Sequence, residues 1–245
     1  MKIADGIEML EVSVNLMGNP EMIYPSLIKD KDTMILVDTG YPNQLMQVQE
    51  SFNTANLSFS ELNKIILTHQ DIDHVGGLPS ILKESTQKLE ILTHELEKEY
   101  IEGEKYPVKL AALEARLDSL PEQIKKIQEA LKGFYSNLHV KIDRTLSDGE
   151  ELPYLGGIIV IFTPGHTPGH ICLYLKQSKT LIAGDALAVE NGALVTASSS
   201  INFNNSLYID SLRKLSNYDI EAVICYHGGL YKGNVTQQII ELINS

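Results

Sequence analysis

The ten residues from Thr68 to Gly77 read THQDIDHVGG and carry four groups able to bind a cation: His69, Asp71, Asp73 and His74. They follow Ile65-Ile66-Leu67, an apolar run whose pattern predicts a buried strand. Burying such polar groups without partners costs roughly 1–3 kcal/mol each, and more for charges. A metal ion would offset that cost and would make the strand end a reaction site. The arrangement recurs along the chain. Val37 leads into Asp38-Thr39-Gly40, Phe162-Thr163 into Pro164-Gly165-His166, Ala183-Gly184 into Asp185, and Cys225-Tyr226 into His227. Loops at strand ends converge on rigid scaffolding, so these five ends are expected to meet in one cleft.

Four of the seven histidines, His69, His74, His166 and His227, join Asp71, Asp73 and Asp185 in this set. Each offers a lone pair, and the mix of imidazole and carboxylate suits zinc, manganese or iron. The set is too large for one tetrahedral ion and suits two ions sharing a bridging carboxylate. Two metals about 3.5–4 Å apart generate hydroxide near neutral pH and polarise a carbonyl or phosphoryl oxygen, so no nucleophilic side chain is required. The pairs Gly76-Gly77 and Gly228-Gly229 are read as letting backbone pass close to the metals.

The elements that must position these groups are short. Runs rich in Ile, Val and Leu predict strands at 11–17, 25–29, 33–37, 64–68, 89–93, 157–163, 170–176, 180–183 and 221–226. Their weak alternation fits sheets covered by helices. Helical periodicity falls at 43–54, 77–83, 205–215 and 234–243. The segment at about 94–138 differs. It is charged, with apolar residues at helical spacing (Leu110, Leu113, Leu117 and Leu120, then Ile124, Ile127 and Leu131), and Pro121 is expected to open a second helix. It reads as a helical insertion in a single domain spanning 1–245, either a solvated hairpin on the core or a lid, its apolar stripe being core. His94 is expected to begin a helix, Tyr226 and Tyr231 to pack, and His139 has no evident partner.

The net charge of −12 disfavours nucleic acid and anionic membranes as partners. No apolar run reaches the length of a membrane span. The first ten residues, MKIADGIEML, show no secretory pattern, and a cytoplasmic location is expected. Cys172 and Cys225 form no CxxC pair and read as small core residues, Cys225 with a chance of lying near the site.

Taken in order, Asp38-Thr39-Gly40, THQDIDHVGG, TPGHTPGH, Gly184-Asp185 and YHGG resemble the five motifs of the metallo-β-lactamase-fold superfamily, most closely its glyoxalase II-like and lactonase-like hydrolases. The resemblance implies an α/β fold, a four-layered αββα sandwich with the site at one edge between the sheets. It implies that His69, Asp71 and His166 hold a first metal, that Asp73, His74 and His227 hold a second, and that Asp185 bridges them. Asp73 is then also the proton acceptor, Asp38 orients a ligand histidine or stiffens the loop, a turn-capping aspartate being the other reading, and His170 is structural, closing the TPGHTPGH turn. Zinc is the expected metal. The usual HxHxDH signature is HxDxDH here, and Asp71 in place of a histidine tilts the first site toward manganese or iron. Ala186-Leu187-Ala188 offers no tyrosine after the bridging aspartate, where the lactonases carry one. The expected function is hydrolysis of a small-molecule ester, lactone, thioester or phosphoester. The alternatives are a diiron redox protein of the same fold and a non-catalytic metal-binding module. An exposed apolar face on the insertion would suggest a homodimer.

Overall fold

The structure is a computed structural model that describes every residue except Met17 and Ser245. Among the described residues, seven strands form one sheet, in the order Lys2–Ala4, Ile7–Met9, Ser26–Asp30, Thr33–Val37, Lys64–Ile66, Glu90–His94 and Arg144–Leu146. Six form the other: Glu151–Leu152, Ile158–Phe162, Ile171–Leu175, Thr180–Ile182, Ala222–Cys225 and Gly229–Lys232. Successive side chains on a strand point to opposite faces, and the core divides accordingly. Ile35, Val37, Ile66 and Leu92 of the first sheet meet Val160, Leu173, Ile182 and Ile224 of the second in one apolar layer. Their neighbours Leu36, Ile65 and Ile91 face outward onto Val48, Phe52 and Ile81, which lie on the helices Leu45–Thr54 and Leu78–Glu84. On the far side Ile161, Leu181 and Val223 face Leu212 and Ile239 of Asn205–Leu215 and Val235–Asn244. Helices cover both outer faces, which makes the αββα sandwich and explains why the strands lack polar alternation.

Parallel pairing brings the strand ends together. Val37 lies beside Ile66 and Ile66 beside Leu92 in parallel register, so Asp38 and Thr68-His69 emerge at the same edge. Ile182 lies beside Ile224, also in parallel, which sets Asp185 next to His227. The expected strands are found within one or two residues at each end; Met17, in the first of them, lies outside the described residues. The pattern did not reveal Lys2–Ala4, Ile7–Met9, Asn19–Ile23, Arg144–Leu146, Glu151–Leu152, Ala188–Glu190, Ala193–Val195 or Gly229–Lys232. These are short and most carry charged residues, so periodicity has little to act on.

The insertion comprises the helices Glu95–Ile101, Val108–Glu114 and Glu122–Tyr135, with a single 3₁₀ turn at Leu117–Ser119. It lies between strands that pair in parallel with each other. His94 caps its first helix, accepting a hydrogen bond from the Leu96 N–H at 3.2 Å. Pro121 opens its last helix, as expected. The apolar stripe is not core as expected. The middle helix stops at Glu114, so Leu117 and Leu120 leave the helical face, and of the stripe only Leu110 is fully buried. His139 does have partners, the backbone carbonyls of Glu102 and Ser136. Cys172 and Cys225 are free and buried in the outer apolar layer with Val235 and Ile239, so Cys225 is a packing residue. Burial pushes the Cys172 thiol up to about 12. Among the described residues no helix is long and apolar enough to cross a membrane.

The Gly76-Gly77 pair has a different purpose from the one read in the sequence. Both residues have ordinary helical φ, −64° and −76°. What they permit is close approach of the loop that follows Val37. A Cβ on Gly77 would lie 2.0 Å from the Thr39 carbonyl oxygen, and one on Gly76 would meet Pro42. The contact is cemented by hydrogen bonds from the Thr39 N–H and hydroxyl to the His74 carbonyl, at 2.8 and 2.7 Å. Substitution Gly77→Ala is therefore expected to cost about 1–3 kcal/mol or more through overpacking. Urea denaturation should show a lower midpoint with an unchanged slope.

Candidate metal centre

All seven residues of the expected ligand set converge at this edge, in two groups that share Asp185. In the first group, Asp71 Oδ2 lies 3.2 Å from His69 Nε2 and 3.1 Å from His166 Nε2. Asp185 Oδ2 lies 3.1 Å from His166 Nε2 and 3.8 Å from His69 Nε2. In the second group, Asp73 Oδ2 lies 3.1 Å from His227 Nε2 and 3.6 Å from His74 Nε2. Asp185 Oδ1 lies 3.2 Å from His74 Nε2 and 3.5 Å from His227 Nε2. One carboxylate thus turns one oxygen to each group.

The histidines are held so that Nε2 faces inward. His74 Nδ1 lies 2.8 Å from Asp38 Oδ2, an acceptor, so Nδ1 donates there and Nε2 is the nitrogen that a metal would take. Asp38 is fixed in turn by the Thr68 N–H and hydroxyl, each at 2.8 Å, and is held at φ 64°, a left-handed conformation that aspartate tolerates better than most residues. The same Thr68 hydroxyl lies 3.0 Å from His69 Nδ1, and Asn202 Oδ1 lies 3.0 Å from His166 Nδ1. His170 stands outside the set, as expected. Its Nε2 accepts the Asp185 N–H at 3.0 Å, so its Nδ1 donates to the Thr163 hydroxyl at 2.9 Å. Burial drives its pKa well below the usual imidazole value, so it stays neutral and fixes the backbone of the shared aspartate. Tyr226 does more than pack. Its ring stacks on His74 with centroids 3.9 Å apart, and its hydroxyl donates to the Asp73 carbonyl at 2.5 Å.

Four carboxylates beside four imidazoles set the electrostatics. Burial pushes the Asp185 carboxyl up, but His74 and His227 outweigh it and hold it well below the usual range. Burial acts likewise on Asp71, where Lys109 and His69 prevail and it too stays low. Burial would lower His74, yet Asp185, Asp38 and Asp73 carry it well above the ordinary value. Asp71 and Asp185 are therefore ionised. Among the described residues, His74 Nε2 and Asp185 Oδ1 are buried without a hydrogen-bond partner. A cation in place of the His74 Nε2 proton would satisfy both atoms, which lie 3.2 Å apart, and the donor set is of the kind that divalent metals accept.

Sequence reading missed four contributors. Glu97, in the first insertion helix, is fully buried and accepts four hydrogen bonds: from the Gln70 N–H and Nε2 at 2.9 Å each, and from the Thr167 hydroxyl and Gly169 N–H at 2.6 Å each. Burial pushes its carboxyl up to about 7, against donors that favour the carboxylate. Gln70 also accepts from the Val108 N–H at 3.1 Å through Oε1 and from the Tyr135 hydroxyl at 3.0 Å through its carbonyl. Lys109 ion-pairs with Asp71, and its Nζ lies 2.7 Å from His166 Nε2. The fourth is Asn202. The insertion thus contributes to the wall of the site, through Lys109. No local pattern marks these residues, because a buried glutamate and a solvated one look alike on a charged helix.

A family model described as the metallo-beta-lactamase superfamily matches residues 18–227. The chain belongs to that superfamily. Among its relatives, the probable metallo-hydrolase YflN of Bacillus subtilis is 27% identical over 257 residues, covering 98% of this chain and 91% of that protein. The metallo-beta-lactamase fold-containing protein ST1585 of Sulfurisphaera tokodaii is 26% identical over 226 residues, covering 89% and 77%. The crystal structure of the metallo-beta-lactamase family protein TTHA1429 from Thermus thermophilus superposes with a TM-score of 0.73 at 23% identity, covering 99% of this chain and 80% of that one. As a member of the metallo-β-lactamase superfamily the protein is a metal-dependent hydrolase.

Two outcomes follow from this geometry. Replacing Glu97 by alanine strands four donors and should cost about 3 kcal/mol or more in chemical denaturation, while Glu97→Gln, which keeps an acceptor oxygen, should cost less. Asp38→Ala should leave the fold in place but weaken metal binding by about 10–100-fold, measured by chelator competition, because His74 loses the partner that fixes its ring.

Proposed function

We propose that the centre is dinuclear, with His69, Asp71 and His166 holding one divalent cation, Asp73, His74 and His227 the other, and Asp185 shared between them. The observation that carries this reading is the division of Asp185, whose two oxygens face separate donor groups. Zinc fits the imidazoles best, and Asp71 makes the first group harder, so that manganese or iron would be better tolerated there. When bound, the cations supply Lewis acidity toward a substrate oxygen and acidify water near neutral pH. The chain supplies the rest. His170 and Asp38 keep the donors oriented. Asp73 lines the cavity, and its carboxylate oxygen not given to the cation would take a proton from attacking water. The cavity holds about 290 Å³ and is lined by Asp71, Asp73, Asp185, His227 and Lys109, a volume for small substrates. Esters, lactones, thioesters and phosphoesters all have the oxygen that such a site polarises.

The two groups differ in their competitors. In the second, His74 Nε2 and Asp185 Oδ1 face only each other and the other members of their own group, whereas Asp71 and His166 in the first are already engaged by the Lys109 ammonium. A cation entering the first group must displace that ammonium, so the second group is the tighter site.

Protein stripped by a chelator should lose hydrolysis of ester, lactone, thioester and phosphoester probes and regain it with two equivalents of metal. Calorimetric titration should resolve a tight and a weaker event, and Lys109→Met should strengthen the weaker one alone. Asp185→Ala should lower kcat by more than about a hundredfold and abolish the two-ion stoichiometry. A full complement of one ion per chain, with activity saturated at that point, would overturn the dinuclear reading.

A further inference from the structure

A second cavity of about 300 Å³ adjoins the metal centre. It runs between the insertion helix Val108–Glu114 and the loop at 200–203, and it shares Lys109 and Ile201 with the cavity over the metal ligands. Its surface is predominantly apolar, formed largely by Val108, Ala112, Leu113, Ile201 and Phe203, with Arg116 adding a cation to the lining. Ile201 and Phe203 are 47% and 51% exposed, large apolar side chains left in water beside a site. Keeping such groups wet costs free energy that an apolar ligand would recover. The groove is anchored to the metal loops at both walls. Val108 donates to Gln70, next to His69, and Asn202 in the opposite wall holds His166. Its position relative to the reacting centre is thereby set.

We infer that this groove receives a linear alkyl chain of the substrate, so that the enzyme acts on esters, lactones or thioesters carrying a medium-length apolar chain. The inference rests on the hydrolytic reading above and deepens it. A substrate whose scissile carbonyl lies over the metal ligands extends naturally past Lys109 and Ile201 into the apolar channel. Short polar substrates leave the channel wet and forgo that binding. The chain makes no reactive contact, so its contribution is to specificity, through kcat/KM.

The test has a kinetic arm and a binding arm. In the kinetic arm, metal-loaded enzyme is assayed on p-nitrophenyl esters from acetate to decanoate, and on alkyl acetates of matching lengths followed by pH-stat. One series should rise roughly two- to fourfold in kcat/KM per added methylene until the groove is filled, and which of the two rises assigns the chain to the acyl or the alcohol side. Ala112→Trp, which fills the groove, should collapse the long-to-short ratio. In the binding arm, a fluorescent fatty acid, 11-(dansylamino)undecanoic acid, should bind the wild-type protein, be displaced by decanoate and lose affinity at least about tenfold in Ala112→Trp, whose fold is checked by circular dichroism. Flat series in both ester sets, or fatty-acid binding unchanged by Ala112→Trp, would overturn the inference. Fatty-acid binding at the groove with no turnover of any ester would support the groove and tell against the hydrolytic reading instead.

Discussion

Everything at this edge of the molecule answers to the cost of gathering Asp38, Asp71, Asp73 and Asp185 away from bulk water. Like charges so close repel, and each must be hydrogen-bonded, paired or placed against a cation. The fold uses all three means. Asp38 spends its oxygens on Thr68 and His74, Asp71 has Lys109, and Asp73 and Asp185 lie against imidazoles. What is left over, a buried imidazole nitrogen and a buried carboxylate oxygen without hydrogen-bond partners, lies where two donor groups meet. Such a remainder of unmet polarity would be a defect in a purely structural protein. In a metal-dependent hydrolase it is what a bound cation would satisfy.

That arrangement holds only if the loops cannot relax apart, and two features prevent it. The first is register. Parallel pairing of Thr33–Val37 with Lys64–Ile66, and of Thr180–Ile182 with Ala222–Cys225, delivers four of the five motif loops to one edge as neighbouring pairs. The second is Glu97. Its four hydrogen bonds join the loop of His69 and Asp71 to the loop of His166, and they do so from an element that no motif includes. Charge-assisted hydrogen bonds to a buried carboxylate are directional and strong, and they replace the rigidity that a longer strand would otherwise give. The insertion therefore contributes to the order of the centre as well as to its walls.

The candidate ligand set was legible in the sequence because its members lie in the loops that follow apolar strands, and strand ends are where such runs break. His69, Asp71, Asp73, His74, His166, Asp185 and His227 could all be found in this way, as could Asp38, since their signal is local. Lys109, Glu97, Gln70 and Asn202 could not. Their partners lie 27 to 72 residues away, and their roles depend on how the insertion and the 200–203 loop dock. The insertion's apolar stripe misled for a related reason. Spacing alone cannot show that the helix ends at Glu114, because Ala115 and Arg116 are good helix formers. The glycine pair after His74 was recognised as a close-approach device, but what approaches is the neighbouring loop, which is again a tertiary fact.

The aspartate in place of a histidine at position 71 and the lysine of the insertion make sense as one change. A neutral imidazole there would leave the first donor group with the charge of the shared carboxylate alone. A carboxylate adds a unit of negative charge in a poorly solvated place, where repulsion from Asp185 is screened far less than in water. Lys109 restores the balance from outside the motif, in contact with the carboxylate that creates the need. It also occupies the junction between the metal cavity and the apolar groove. The charge that compensates Asp71 thus also lines both cavities, and on the proposed reading a substrate would pass it. An altered ligand, the insertion that answers it and the groove that the insertion forms are parts of a single physical arrangement.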